Sequence, residues 1–287
     1  MKLDPKSTKI LIVGLGLLGG SYAKKLTELG FSVTAITRSQ KSIDYAVSHG
    51  MIEKGSAFPD PDLAREADLV VFALYPNIFI KWLQEHQALL KSGALLTDVT
   101  GVKGCIVDRV QNMLRPDLEF IGAHPMAGRE VSGVENSDPS IFRAANYIVT
   151  PTEKNTEEAT ETCMELGKIL GFARVSVLSP EEHDRMIAFL SQLTHCIAIS
   201  LMTCNDTEHL EDYTGDSFRD LTRIARLNEE MWSELFLLNR EALLAEMGRF
   251  EAELAKMRRL LESGDREGLC DMMRHSTARR ALFDKKV

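Results

Sequence analysis

Up to about residue 178, the apolar positions fall into two alternating rhythms. Residues 10–13 (Ile-Leu-Ile-Val) form the uninterrupted apolar run that a strand buried on both faces requires, and residues 17–29 then switch to helical spacing. Residues 31–37 repeat the strand pattern after Gly30, residues 41–49 the helical one as far as Gly50, and 69–74 give a further strand closed by Tyr75-Pro76. Residues 78–90 read as helix and 94–99 as strand; 147–150 and 174–178 read as strands flanking a helix at 157–170 that Gly171 ends. This alternation predicts an α/β fold: a Rossmann-type, doubly wound parallel sheet with ligands gathered at the carboxyl ends of its strands. At Ser179-Pro-Glu-Glu182, a capping-box pattern with proline at the first helical position, the strand signal stops. The expected organisation is a dinucleotide-binding domain over residues 1–179 and an all-helical domain over 180–287. In the latter, Asn228 is placed to cap a helix reaching about Ser263, roughly 50 Å at 1.5 Å per residue. So long a helix needs partners for Met231, Leu235, Leu238, Ala242 and Leu254; the terminal helix at 265–283 and a second subunit would supply them, predicting a homodimer.

Between the first strand and helix stands Gly14-Leu15-Gly16-Leu17-Leu18-Gly19. The first glycine permits a tight turn, the second lets backbone approach a pyrophosphate, and the third lets helix and strand pack closely, with the phosphates on the helix N-terminus. Glycine triplets also mark ordinary turns; a place after a near-terminal strand and before a helix favours the dinucleotide reading. Where an NAD site carries an acidic residue for the adenosine ribose, this chain has Thr37-Arg38-Ser39. Two hydroxyls, a guanidinium and no repelling carboxylate lead to the expectation that NADP is preferred, with NAD possible if Arg38 merely points into solvent.

A formal charge of -8 over 287 residues argues against a general nucleic-acid or anionic-membrane surface, and 44% apolar with 26% charged residues is ordinary for a globular chain. Five widely spaced cysteines with no C-x-x-C pair look like reduced thiols, and the N-terminus lacks a signal-peptide core, so a cytoplasmic location is expected. No apolar run approaches the 18 or so residues of a membrane span, and no His, Cys or carboxylate cluster has metal-ligand spacing.

Two strand ends carry unusual polar chemistry: Thr97-Asp98-Val-Thr100-Gly-Val-Lys103-Gly104, and His124-Pro-Met-Ala-Gly-Arg129 after Phe120-Ile-Gly-Ala123. A histidine beside proline is commonly a hydrogen-bonded loop residue; its strand-end position makes His124 a catalytic candidate. Further along, Ser191 and His195 share a helical face with His183 on its flank, where the plainer reading is a polar stripe. Arg219 and Arg223 lie in Ser217-Phe-Arg-Asp-Leu-Thr-Arg-Ile-Ala225, where surface salt bridges are the plainer reading.

In this order, Gly14-Leu-Gly-Leu-Leu-Gly-Gly-Ser21, Thr97-Asp-Val-Thr-Gly-Val-Lys103, Gly122-Ala-His-Pro-Met-Ala-Gly128, His183-Asp184 with Ser191-Gln-Leu-Thr-His195, and Phe218-Arg-Asp-Leu-Thr-Arg-Ile-Ala225 leading to Met231-Trp232 make a sequence that resembles the prephenate and arogenate dehydrogenase (TyrA) family over nearly its whole length. The resemblance implies hydride removal from C4 of a cyclohexadienyl alcohol while CO2 leaves C1, giving an aromatic ring, with a helical domain forming the dimer. It implies that His124 accepts the hydroxyl proton, that Arg223 holds the ring carboxylate, and that Ser191 and His195 line the pocket with His183 and Trp232 in support; Arg129 is a further candidate substrate contact. The resemblance also implies that Asp98 and Thr100 join the glycine loop as cofactor contacts. Two departures stand out: Gly101 replaces a serine of many relatives, so a hydroxyl orienting His124 must come from neighbouring Thr100 or from water, or be absent, and Arg129 replaces a threonine of some. The chain ends directly after the helical domain, so a monofunctional enzyme is expected, with tyrosine a possible feedback inhibitor.

The substrate expected is prephenate, with arogenate as the close alternative, since no unambiguous carboxylate is available for an ammonium group. A hydroxyacid dehydrogenase of the 6-phosphogluconate type shares the fold class but usually places a catalytic lysine on a second-domain helix, and none occurs between Lys168 and Lys256. A nucleotide sensor without catalysis would bind cofactor but not need His124 and Arg223 together.

Overall fold

A computed structural model of the chain describes residues 2–129 and 131–283. β1 (Lys9–Val13) leads through α1 (Leu17–Glu28), β2 (Ser32–Ile36) and α2 (Gln40–Ser48) to β3 (Lys54–Ser56) and α3 (Pro61–Glu66). β4 (Leu69–Phe72), α4 (Pro76–His86), β5 (Leu95–Asp98), α5 (Gly104–Met113) and β6 (Glu119–Pro125) follow, then β7 (Asn146–Thr150), α6 (Glu157–Leu170) and β8 (Arg174–Val177). The strands form one sheet in the order β3-β2-β1-β4-β5-β6-β7-β8, parallel throughout except where β7 runs antiparallel to β6. Because the chain leaves β1 on one side and returns at β4 on the other, the β1/β4 boundary is a topological switch point, and its carboxyl end is where a ligand crevice forms.

Alternation along each buried strand explains the apolar runs. Ile10 and Ile12 face a core completed by α1, α2 and α6, through Tyr22, Ile43 and Leu166 among others. Leu11 and Val13 face the opposite core, filled from α3, α4 and α5 by Leu63, Phe79 and Ile106. Burial on both faces removes any polar alternation, so the strands read as continuous hydrophobic segments.

The capping box expected at Ser179 is present: the Ser179 hydroxyl accepts from Glu182 N at 3.2 Å and the Glu182 carboxylate from Ser179 N at 3.0 Å. It opens α7 (Pro180–Ile187), which continues through a π-helical turn, Ala188–Leu193, into α8 (Thr194–Thr203). By length and composition Pro180–Thr203 is apolar enough to cross a membrane, which counting apolar runs did not suggest. Its buried positions nevertheless include His183, Asp184 and Gln192, all hydrogen-bonded to protein. α9 (Asp216–Thr222), α10 (Glu229–Leu238), α11 (Arg240–Glu262) and α12 (Arg266–Arg280) complete the chain.

Asn228 caps α10, accepting from Met231 N at 2.9 Å, but the long helix expected to follow is broken at Asn239. There the Asn239 amide donates to the Asp184 carbonyl at 2.9 Å and to Gln192 Oε1 at 2.7 Å, bonds that favour a break over continued winding. Leu235 and Leu238, expected to pack on the terminal helix and a second subunit, pack against the core beneath α4 and α5. Compactness accordingly divides the chain into Met1–Asn239 and Arg240–Val287, so that α7 to α10 belong with the sheet. In the second unit α11 and α12 pack on each other.

Candidate active site

At the carboxyl end of β1 the backbone turns through Gly14, whose φ of +103° is a conformation that side chains disfavour. A Cβ on Gly19 would lie 1.9 Å from the Gly14 carbonyl oxygen, so only glycine lets α1 approach the strand this closely. Gly16 differs: its φ is negative and a Cβ there would meet no protein atom within 4 Å. No side chain caps α1 and no acidic residue occupies its first turn, leaving a helix N-terminus suited to an anion. The loop therefore fits a dinucleotide pyrophosphate, with Gly16 keeping clear the space it would fill. Leu15 is buried in the core, while Leu17 and Leu18 are half-buried at the rim.

Thr37, Arg38 and Ser39 follow β2, on the other side of this loop. Thr37 is held by a bond from its N–H to the Ser56 carbonyl at 3.0 Å, and Ser39 caps α2 by accepting from Ser42 N at 3.2 Å. Arg38 is exposed and pairs with no acid among the described residues.

The end of β5 is tied to the end of β6 by a buried polar cluster. Asp98 accepts from Ala123 N at 3.0 Å on one oxygen, and on the other from Thr100 N at 3.0 Å, from the Thr100 hydroxyl and from Lys103 Nζ at 2.6 Å. The Thr100 hydroxyl also meets Lys103 Nζ at 2.9 Å. Asp98 and Lys103 are both fully buried, and burial holds the Lys103 ammonium below its ordinary pKa against the opposing pull of Asp98. Asp98 and Thr100, read from sequence as contacts to cofactor or to His124, are therefore turned inward, their polar atoms satisfied by each other and by Lys103 and Ala123.

His124, next to Ala123 on β6, keeps a partly exposed edge although most of its ring is enclosed. Its Nδ1 lies 2.9 Å from Nε2 of His183, which is fully buried and places its own Nδ1 2.8 Å from Asp184 Oδ1. The Asp184 carboxylate accepts from Lys103 N and Gly104 N, each at 2.8 Å, at the start of α5. Burial, His183 and Lys103 push the His124 pKa well below the ordinary histidine value; burial and Lys103 also lower His183, against Asp184. His183 thus supports His124 through the latter's Nδ1, while the Thr100 hydroxyl, one of the candidates for orienting that ring, is engaged with Asp98 and the Val102 carbonyl. Nothing local marked this role except the His183-Asp184 dipeptide at a helix start.

Nε2 of His124 looks towards Gly101: a Cβ there would sit 3.8 Å from it and 3.5 Å from Leu235. One turn before Leu235 on α10, Trp232 lies against His195 with ring centroids 3.8 Å apart, and His195 Nδ1 is 2.8 Å from the Ser191 carbonyl. Arg223, exposed, begins a short 3-10 turn that packs on α8. α10 thus carries one residue beside Gly101 and another beside His195, a join that the sequence did not reveal because Leu235 was expected on the terminal helix and a second subunit. Arg129 is exposed and paired with Asp138 at 2.8 Å.

The two glycines should behave oppositely on substitution. Gly19→Ala should destabilise the fold by about 1 to 3 kcal/mol or more through forced overlap with the Gly14 carbonyl. Gly16→Ala should stay within about 0.5 kcal/mol of the parent in urea unfolding yet weaken dinucleotide binding about tenfold or more, read by fluorescence titration.

Residues 22–176 match the family described as prephenate dehydrogenase, nucleotide-binding domain, and residues 179–275 the prephenate dehydrogenase dimerization domain. The first match begins beyond the glycine loop, which rests on its own geometry. The chain is 33% identical over 272 residues to prephenate dehydrogenase of Bacillus subtilis (strain 168), covering 91% of this chain and 72% of that protein. It is 29% identical over 282 residues to cyclohexadienyl dehydrogenase of Zymomonas mobilis, covering 95% of each. A crystal structure of prephenate dehydrogenase from A. aeolicus in complex with hydroxyphenyl propionate and NAD+ superposes with a TM-score of 0.89 at 30% identity, over 96% of this chain and 98% of that one. The chain belongs to the prephenate dehydrogenase family of oxidoreductases.

Proposed function

We propose that this protein is an NAD(P)-dependent dehydrogenase that oxidatively decarboxylates prephenate to 4-hydroxyphenylpyruvate in tyrosine biosynthesis. The observation that carries the reading is the enclosed His124 imidazole at a strand end of a nucleotide-binding sheet, its Nε2 facing the space beside Gly101. A bound nicotinamide supplies the hydride acceptor. His124 takes the proton of the C4 hydroxyl, a task for a neutral imidazole. Arg223 pairs with a substrate carboxylate, and Ser191, His195 and Trp232 line the side-chain end of the pocket, with Arg129 at its rim. Loss of CO2 from C1 returns its bonding pair to the ring as hydride leaves C4, and aromatisation drives the step. Arogenate remains the close alternative, as the cyclohexadienyl name of the Zymomonas relative illustrates. Comparing kcat/KM for prephenate and arogenate tests the reading: turnover of neither would refute it.

Replacing His124 with Asn should lower kcat by roughly 10² to 10⁴ with cofactor affinity retained. The parent's rate should also hold as pH falls through 6.5, the ordinary histidine value, because burial, His183 and Lys103 all favour the neutral ring. Loss of rate should come only at lower pH, as His124 gains its proton; a midpoint above 6.5 in the pH profile would assign the base elsewhere.

For the cofactor we propose a preference for NADP. Arg38 is exposed and unpaired among the described residues, Ser39 keeps a hydroxyl proton to donate while capping α2, and Thr37 brings no charge that would repel a 2'-phosphate. Charge-assisted bonds of about 1.5 to 3 kcal/mol correspond to a preference of about tenfold to a hundredfold. Arg38→Ala should reduce the NADP/NAD ratio of kcat/KM by a comparable factor, and an unchanged ratio would remove this loop from cofactor choice.

A homodimer is the third part of the reading. Met186, Phe189, Leu190 and Met202 are about half exposed on the α7–α8 stretch, as are Leu244, Leu254 and Leu261 on α11, within or beside the segment matching a dimerization domain. Covering these residues in an obligate interface buries upwards of about 2,000 Å² in total. Sedimentation at micromolar concentration should give twice the 32.1 kDa chain mass. Cytoplasmic location and inhibition by tyrosine complete the proposal; the latter is read as loss of rate on adding tyrosine at fixed substrate.

A further inference from the structure

Neutral histidine exists as two tautomers, and only one leaves Nε2 able to take a proton. At His124 the choice is made by hydrogen bonds that begin on another helix. The Asp184 carboxylate can only accept. It takes the N–H groups of Lys103 and Gly104 at the start of α5, and its Oδ1 also lies 2.8 Å from His183 Nδ1. The proton of His183 is therefore on Nδ1, since a bare nitrogen there would confront a carboxylate oxygen. With burial keeping His183 neutral, its Nε2 is bare and can only accept. Nδ1 of His124, 2.9 Å away, must then carry a proton and donate it. In the other tautomer two lone pairs would face each other in a buried position with no donor between them. The remaining proton-accepting site of His124 is Nε2, which faces Gly101, with Leu235 alongside.

We propose that Asp184 and His183 are positioning residues that hold His124 with its proton on Nδ1 and its bare Nε2 presented to the substrate hydroxyl. The assignment rests on the reading of His124 as the base. When Nε2 takes the hydroxyl proton, His124 becomes an imidazolium whose Nδ1–H bond to His183 strengthens, and Asp184 stabilises the new charge through the intervening ring. No proton leaves His183 in this step. The ionisable groups facing the two rings are Asp184 from α7 and Lys103 and Asp98 from the β5–α5 connection, and Lys103 favours the neutral state of both rings.

The tautomer can be read directly from ¹⁵N spectra of the full chain labelled at histidine, with His124 assigned by the signals missing in His124→Asn. At neutral pH the His124 Nδ1 should show the shift of a protonated ring nitrogen and Nε2 that of an unprotonated one; the reverse pattern, or an averaged pair, overturns the proposal. Two substitutions separate positioning from packing. His183→Gln retains an acceptor at the distance of Nε2 and should keep kcat within about tenfold of the parent, whereas His183→Asn reaches only Asp184 and should lose about a hundredfold or more. KM for both substrates should move less than about threefold in either. Equal kcat values for the two variants would sink the relay. If His124→Asn itself retained turnover, the reading of the reaction would fall, and the wild-type ring spectrum would still decide the tautomer.

Discussion

The constraint on which most else depends is a single carboxylate placed on a helix start. Asp184 belongs to α7, yet its two oxygens take the first N–H groups of α5, some 80 residues earlier in the chain. The partial positive charge at a helix N-terminus makes this contact favourable, and satisfying donors that would otherwise be unpaired makes it specific. It fixes α7 against the carboxyl edge of the sheet, and the neighbouring His183 is thereby delivered to His124. The Asp184 backbone is held as well, since its carbonyl accepts from Asn239 at the break between α10 and α11. One residue thus sets the position of the helical segment relative to the sheet and fixes where α10 must stop.

Beneath it lies a second constraint, the fully buried pair of Lys103 and Asp98. Removing one member of such a pair leaves an uncompensated charge, typically at about 3 to 5 kcal/mol, so neither residue is free to vary alone. The bond from Ala123 N to Asp98 places this pair immediately before His124, and the backbone from which the imidazole projects is anchored on both sides of the strand end. The enclosed charge of Lys103 also bears on the ring electrostatically, favouring its neutral form.

Much of the architecture is legible in the sequence because it depends on short-range patterns. Apolar runs mark β1, β4 and β5, Ser179 to Glu182 marks the start of α7, and the glycine loop marks the turn from β1 to α1. β3 escapes notice since Lys54–Ser56 carries no apolar signal and pairs only through its backbone with β2. The helix break at Asn239 is equally hidden: local spacing favours continued helix, and the bonds that end it come from residues more than 40 positions away. The chemistry follows the same division. His124 stands out by its place at a strand end, whereas the inward turn of Asp98 and Thr100 and the supporting place of His183 depend on contacts across 25 to 59 residues. The pairing of the Arg129 guanidinium with Asp138, nine positions on, is likewise not marked in the local sequence.

The π-helical turn at Ala188–Leu193 has a consequence for how this segment tolerates change. A π turn holds one residue more than an α turn, so everything after it is rotated by about 100° relative to a regular helix. In unbroken α-helix His195 would lie roughly 120° around from His183; the extra residue brings the two to within about 20° of one face. His183 can thus reach the sheet domain while His195, three turns on, meets Trp232. Loss of a single residue would restore regular winding and swing the whole of α8 out of register, so the length of this stretch is held fixed together with Gln192, which meets Asn239 and Leu235.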